Sequence, residues 1–372
     1  MAKTMLAARL HEFGQPFSLD TLPVPTPRPT DVLVSVRACN VVPNLANVIT
    51  HYSTWFPYLP LPKLPATFGL DVSGVVAEVG SHVLGISPGD RVYVTPQRSC
   101  GACKACRSGY VTGCESLTFQ GYFGFGPGSS RVFEFYPNGG LAEYLIAPAR
   151  ALVKLPESIS FEAGARFGYL GTAYAALRKA NAGPGTSVII TGATGTLGAG
   201  AVLLALAMGV TRILAVARRP EILEAMRKLD PRRIRVLPYG TQPLENWVRE
   251  QTDGAGADIM IESLPTGAPA TVTMEALRSL RRGGCGVCIG GMSETLPIDP
   301  VWFMCTELQW KGSVWFSVAE GEDMAAMADA GTLDLSPYEH HRWSLQDVNK
   351  LMASLGGRDS GLANFVVMPG GG

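Results

Sequence analysis

Four cysteines lie within fifteen residues: Cys100-Gly-Ala-Cys103-Lys-Ala-Cys106 and then, seven residues on, Cys114. Cysteines at two-residue intervals converge on one ion only where the backbone curls tightly, and a fourth thiolate from a short loop closes a tetrahedral shell. Such a shell has no open position for water or substrate. The expected metal is therefore one structural zinc per chain, stapling a lobe with little core of its own. An iron-sulfur cluster also takes four cysteines and is the alternative. Cys285 and Cys288 form a second CxxC, but inside Gly-Gly-Cys-Gly-Val-Cys-Ile-Gly-Gly, which reads as a buried strand.

The other chemically suggestive stretch runs from Ser187 to Ala217. Val188 to Thr191 reads as a short buried strand, Gly192, Gly195 and Gly198 as a tight turn, and Ala199 to Met208 as an apolar helix. Those glycines let the backbone approach a pyrophosphate, and the following helix aims its N–H groups and dipole at it. A second strand, Ile213 to Val216, follows about twenty residues later, the context a dinucleotide fold requires. It ends in Ala217-Arg218-Arg219. With no acid to accept from a ribose 2′-OH and two guanidiniums to fork onto a 2′-phosphate, the expected cofactor is NADP(H).

The elements that must position these groups are legible in outline. In 372 residues, 47% hydrophobic, there is material for two or three cores. Lys plus Arg equals Asp plus Glu, 31 each, so no basic field argues for nucleic acid or a membrane surface, and a small-molecule substrate is expected. The N-terminus lacks a signal pattern and the longest apolar run, Ala199 to Val210, is short of the ~20 residues of a membrane span, so the expected location is cytoplasmic. Leu6 to Leu10, Asp31 to Ala38, Val72 to Val79 and Asp90 to Val94 read as strands of a β-rich opening unit. Leu117 to Gly140, rich in Gly and aromatics, reads as a long loop forming either a cleft wall or an interface. Leu141 to Ile146 and Val153 to Pro156 continue the strands, and Phe161 to Lys179 reads as one hinge helix. From there strand and helix alternate as in a doubly wound sheet: strand Ile234 to Leu237, helix Pro243 to Gln251, strand Asp258 to Glu262, helix Ala268 to Leu280, then strands Gly286 to Ile289 and Leu308 to Val314. Met324 to Ala330 and Leu345 to Leu355 look helical, Phe365 to Met368 closes as a strand, and Gly370 to Gly372 is a flexible tail.

The β-rich start, the four-cysteine lobe, Gly139-Gly140-Leu-Ala-Glu-Tyr, the Gly192 turn and Glu307-Leu-Gln-Trp-Lys-Gly-Ser313 resemble the zinc-containing alcohol dehydrogenases of the medium-chain dehydrogenase/reductase superfamily. The resemblance implies an α/β protein with a GroES-like catalytic domain built from both termini, over 1–165 and 318–372, with the zinc lobe at about 97–116. A Rossmann NADP-binding domain takes 166–317. It implies a homodimer, or a tetramer, pairing through the strand near Trp310 to Val314. It also completes the expected cofactor set: Thr172, Gly192, Gly195, Thr196, Leu197, Gly198, Arg218, Arg219 and Gly290.

The resemblance fails at one place. Members with a catalytic zinc carry two cysteines and a histidine where this chain has Val42, Gly168 and Leu70. None of these binds zinc, and Asp71 alone is not a metal site, so no catalytic zinc is expected. Gly69-x-Asp71-x-x-Gly74-Val-Val and Val41-Val42-Pro43 resemble instead the zinc-free quinone oxidoreductases and enoyl reductases. A zinc-free site must hold developing negative charge on oxygen with hydrogen-bond donors. Candidate donors lie on Asn47 to Trp55, the segment that in this family approaches the nicotinamide: Tyr52, His51 and Asn47, with Trp55, Phe56 and Tyr58 lining an apolar pocket. Because charge on a conjugated substrate delocalises into an enolate, the expected activity is NADPH-dependent reduction of an activated C=C, as in an enone, enal or quinone. The alternatives are an alcohol dehydrogenase or carbonyl reductase without catalytic zinc, and a non-catalytic nucleotide sensor.

Overall fold

The structure is a computed structural model describing residues 3–357 and 360–370; Gly371 and Gly372 of the expected tail lie outside the described residues. A mixed sheet of seven strands forms the catalytic half. Its order is Leu152–Lys154, Arg91–Val94, Asp71–Val79, Asp31–Asn40, Ala363–Met368 and Glu339–Ser344, with Tyr144–Pro148 also pairing with Asp31–Asn40. Val366 and Val367 lie opposite Asn40 and Cys39, so the C-terminal strands complete a sheet begun by the N-terminal ones. A second, three-stranded sheet joins Ser18–Pro23, Thr4–Leu10 and Ala66–Thr67.

The other half is a six-stranded, fully parallel sheet in the order Ile234–Pro238, Arg212–Ala217, Ser187–Thr191, Ala257–Glu262, Leu280–Cys288 and Gln309–Gly312. The strand order reverses beside Ser187–Thr191, the switch point at which doubly wound sheets bind ligands. The apolar helix runs Thr196–Ala207 from that point and buries Val202, Leu204 and Ala205 fully. Among the described residues no helix is long and apolar enough to cross a membrane.

Between the halves lies the expected hinge helix, but in two pieces. Ser160 caps Phe161–Gly164 by accepting from the Ala163 N–H, and a longer helix runs Phe167–Lys179. The Arg166 N–H reaches Ala163 O, one residue tighter than an α-turn, so the ladder breaks there and restarts. Gly171 packs against the Phe316 ring, where a Cβ would collide, which sets this helix hard against the return to the catalytic half. The Gly- and aromatic-rich loop contains a helix that was not expected, Ser129–Phe135, and the segment after Pro43 forms two more, Asn44–Thr50 and Tyr52–Trp55.

Candidate functional site

The lobe brings together the sulfurs of Cys100, Cys103, Cys106 and Cys114, all within 4.8 Å of one another. Four thiolates on one zinc at about 2.3 Å stand about 3.8 Å apart, so the set fits a single ion and is too tight for a cluster of several irons. Backbone N–H groups already point at the sulfurs: Cys103 N to Cys100 Sγ at 3.4 Å, Cys106 N to Cys103 Sγ at 3.5 Å and Ser116 N to Cys114 Sγ at 3.3 Å. Such donors favour the thiolate: the Ala102 and Cys103 N–H groups hold the Cys100 thiol below its ordinary range, while burial pushes Cys114 up. Among the described residues no other group of three or more His, Cys, Asp or Glu could hold a metal.

At the switch point, Gly192 has φ +72° and caps the end of its strand; a Cβ there would stand 2.9 Å from Ser263 O. Gly195 is the exposed N-cap of the following helix, with no side chain of its own bonded to the free N–H groups. A Cβ at Gly198 would strike Gly192 O and stand 2.7 Å from Ala193 Cα, so the helix can begin this close to the strand only with glycine. A cradle of bare backbone N–H groups is what a dinucleotide pyrophosphate fills. Thr196 and Leu197 form its first helical turn, and Gly290 lies where a Cβ would press on Leu264 and the Glu262 carboxyl. Thr172 is placed differently: its hydroxyl is spent on Gly168 O at 2.9 Å within the hinge helix. Ala217 is buried at the end of its strand, and Arg218 and Arg219 follow it, exposed. Asp258 is locally paired, to Ser187 and to Arg281. Glu262, buried, is pushed up by desolvation and accepts from Cys288 Sγ and Leu264 N.

The other candidate residues centre on the buried Asp71 and Arg166. The three positions where zinc ligands are missing do not leave a hole: the Asp71 carboxyl is folded over Gly168, so that a Cβ there would collide with Oδ1 and stand 2.6 Å from Oδ2. Val42 and Leu70 are buried apolar side chains. Asp71 is fully buried; Oδ1 accepts from Tyr93 Oη at 2.9 Å, and Oδ2 has no partner among the described residues. Burial pushes its carboxyl up to about 7, against the Tyr93 hydrogen bond and the Arg166 charge, which act the other way. Arg166, also fully buried, lies between the Tyr169 and Tyr338 rings and donates Nη2 to Gly361 O at 2.7 Å; its Nε and Nη1 have no partner among the described residues. A metal does not fit this donor set.

One amide, that of Asn44, organises two phenols. Asn44 Nδ2 donates to Tyr52 Oη at 2.7 Å and to Tyr122 Oη at 3.0 Å, while Asn44 Oδ1 accepts from Asn47 Nδ2 at 3.1 Å. Both hydroxyl oxygens are thus already accepting, and both O–H protons are free to be donated elsewhere. Burial raises both phenols, Tyr122 well above its ordinary value. Tyr122 comes from the Gly- and aromatic-rich loop, which this hydrogen bond ties to the Asn44–Thr50 helix. Of the three expected donors, Tyr52 and Asn47 join this cluster. His51 does not: it is exposed and stacked on the Trp55 ring at 4.5 Å. Asn44, Tyr122, Tyr93 and Arg166 were not singled out from sequence.

With this geometry in view, the comparisons are consistent. Residues 28–157 match the alcohol dehydrogenase GroES-like domain and residues 196–330 the zinc-binding dehydrogenase domain. An alcohol dehydrogenase of Geobacillus stearothermophilus is 33% identical over 79% of this chain and 80% of its own. An NAD-dependent alcohol dehydrogenase of Sulfurisphaera tokodaii is 28% identical over 94% and 96%. The solved structure of AibC superposes with a TM-score of 0.85 at 26% identity, covering 99% of this chain and 97% of that one. The chain belongs to the zinc-type alcohol dehydrogenase-like medium-chain dehydrogenase/reductase superfamily and is an oxidoreductase.

Proposed function

We propose that the chain is an NADP(H)-dependent carbonyl reductase and alcohol dehydrogenase that works without a catalytic zinc. The observation that carries this is the phenol pair tied by Asn44, together with the Asp71 carboxyl folded over Gly168. The expectation of C=C reduction gives way here, because the relatives above are named as alcohol dehydrogenases. Two O–H donors on one carbonyl oxygen supply the polarisation for which such enzymes otherwise use a Lewis acid.

Bound NADPH supplies a hydride to the carbonyl carbon. Tyr52 and Tyr122 hold the carbonyl oxygen, and Tyr122, the more buried of the two, gives it a proton. Asn47 fixes Asn44, and Asn44 fixes both phenols. The lining favours an aryl or alkyl carbonyl over a polyol: Tyr52 packs on Phe56 at 5.0 Å and Phe123 at 5.3 Å, with Trp55 and Tyr58 exposed at the rim. Ala217 with Arg218 and Arg219 supports NADP(H), although one relative is named for NAD. A homodimer through the open edge of Gln309–Gly312 is supported by the neighbouring exposed Val301 and Met304.

The test follows NADPH consumption with benzaldehyde, acetophenone, cyclohexenone and a benzoquinone, and NADP+ reduction with benzyl alcohol and sorbitol. Turnover of the aromatic aldehyde or ketone and of benzyl alcohol is expected. Turnover of cyclohexenone or quinone alone would restore the C=C reading, and tight NADPH binding with no turnover would leave a sensor.

A further inference from the structure

Arg166 is fully buried, yet its guanidinium makes one hydrogen bond among the described residues: Nη2 donates to Gly361 O at 2.7 Å, while Nε and Nη1 have no partner. A cation drawn that far from water is costly to keep unless its hydrogens are met. Its charge also acts on Asp71, a task that does not need the bond to Gly361. We infer that Arg166 is a positioning residue for the cofactor, acting through Gly361 on the peptide that opens the helix at the dinucleotide turn. This rests on the NADP(H) reading above and gives Arg166 no part in the transfer of hydride or proton.

The path runs through short contacts. Gly361 lies just ahead of strand Ala363–Met368 of the catalytic half, and its N–H donates across to Thr194 O of the cofactor half at 2.8 Å. The two chains meet so closely that a Cβ on Gly361 would collide with Gly195 O and stand 2.9 Å from Thr194 O. Thr194 O and the Gly195 N–H belong to one planar peptide. With its oxygen held by Gly361 and its N–H donated to Gly192 O at 2.8 Å, that peptide is fixed at both ends. It leads straight into Gly195, the N-cap of helix Thr196–Ala207, so its orientation sets where the first N–H groups of the helix point.

Arg166 in turn decides where Gly361 stands. It occupies the break between Phe161–Gly164 and Phe167–Lys179, with its guanidinium over the Tyr169 ring of the hinge helix at 5.4 Å and the Tyr338 ring at 5.1 Å. One buried side chain therefore joins the hinge, the C-terminal return and the cofactor turn. A turn held ready in this way has less freedom to lose when a pyrophosphate arrives, and that saving appears as affinity.

The test uses the full chain and calorimetric titration with NADPH and with 2′-AMP, a fragment that keeps the 2′-phosphate and lacks the pyrophosphate. Arg166→Met should weaken NADPH binding about tenfold and leave 2′-AMP binding as in the native protein. Arg166→Lys, which keeps a donor for Gly361 O, should recover part of the loss. Gly361→Ala, whose Cβ meets Gly195 O, should repeat the Arg166→Met pattern. A merely structural Arg166 would lower the melting temperature and leave the ratio of the two affinities at its native value. Native NADPH affinity in Arg166→Met, or equal losses for NADPH and 2′-AMP, overturns the assignment alone. A native chain that binds no NADPH overturns the cofactor reading and takes this one with it. The readout is binding, so the carbonyl chemistry can fail without moving it. If Arg166→Met fails to fold, Arg166→Lys and Gly361→Ala decide.

Discussion

Replacing Tyr122 by Phe isolates a single proton. Asn44 Nδ2 has two hydrogens, one to Tyr52 at 2.7 Å and one to Tyr122 at 3.0 Å, so each phenol oxygen is already accepting and its own hydrogen is available for substrate. The Tyr122 ring is buried, 4% exposed, and packs on Phe123 at 4.8 Å. Phe keeps that packing and removes only the oxygen. The structural cost is one hydrogen bond, about 1 kcal/mol, so the fold and cofactor affinity should survive. Losing one of two donors aimed at a developing oxyanion costs about 3 to 4 kcal/mol of transition-state stabilisation, a 10²- to 10³-fold fall in kcat. The assay is steady-state NADPH oxidation with benzaldehyde, with KM, NADPH affinity and melting temperature measured alongside. Tyr52→Phe should fall comparably, and the double variant by less than the product, because the two donors act on one oxygen. A Tyr122→Phe enzyme with kcat within about threefold of native would refute the two-donor site, since a loss that small is worth less than 1 kcal/mol.

The remaining expectations concern other parts of the molecule. Elemental analysis should find about one zinc per chain; a chelator too brief to unfold the protein should leave turnover intact, whereas Cys103→Ser should lower melting temperature and soluble yield. A second equivalent, or activity lost to chelator before the fold and restored by zinc, would place another metal in the cleft. Ala217→Asp with Arg218→Ser should shift the kcat/KM ratio toward NADH, and equal native efficiency with both cofactors would contradict the Arg218 and Arg219 reading. Asp71, raised from 3.8 to about 7, gives a signed effect on stability. Between those values the folded state holds a proton the unfolded chain lacks, so its contribution is complete at the acid end and is lost as pH rises through 7. Melting temperature should therefore fall more steeply with rising pH in the native protein than in Asp71→Asn. Gly168→Ala should displace the Asp71 carboxyl and cost about 1 to 3 kcal/mol in chemical denaturation, and a neutral result would show that the carboxyl moves freely.

The cofactor half was legible because its parallel strands are covered on both faces. Val188, Ile189 and Ile190, like Ile213, Leu214 and Ala215, are fully buried and appear in sequence as unbroken apolar runs between turn residues. The strands that escaped notice lack this signature. Glu339–Ser344 is an edge strand rich in charged and histidine residues, four of its six residues exposed, and it exists through its parallel pairing with Ala363–Met368. Ser18–Pro23 is likewise an exposed edge ending in proline. Helix Ser129–Phe135 begins without a side-chain cap and follows glycines; its tertiary anchors are the Ser129 hydroxyl on Leu117 O and Arg28 over the Phe135 ring. No local pattern encodes those contacts.

The site divides along the same line. The four cysteines and the glycine turn are local, each set within one short stretch, so spacing alone exposes them. The phenol pair joins positions 78 residues apart through Asn44 and Tyr122, and the Arg166 anchor at Gly361 spans 195. Even so, sequence held a signal that went unused. Where the resemblance requires a bulky ligand, position 168 has the smallest residue; the neighbour of another lost ligand is an acid, and an arginine interrupts the apolar run Ala163-Gly-Ala-Arg166-Phe-Gly168. A ligand replaced by glycine frees the volume of a side chain, and close-packed interiors do not leave such volume empty. Asp71 is the nearest group able to fill it, and a carboxyl drawn that far from water requires a counter-charge or a proton. Arg166 supplies the first and a value of about 7 the second. The glycine at 168 and the buried, upward-shifted carboxyl of Asp71 are thus one packing event, so placing a ligand at 168 alone should evict Asp71 before it could bind zinc.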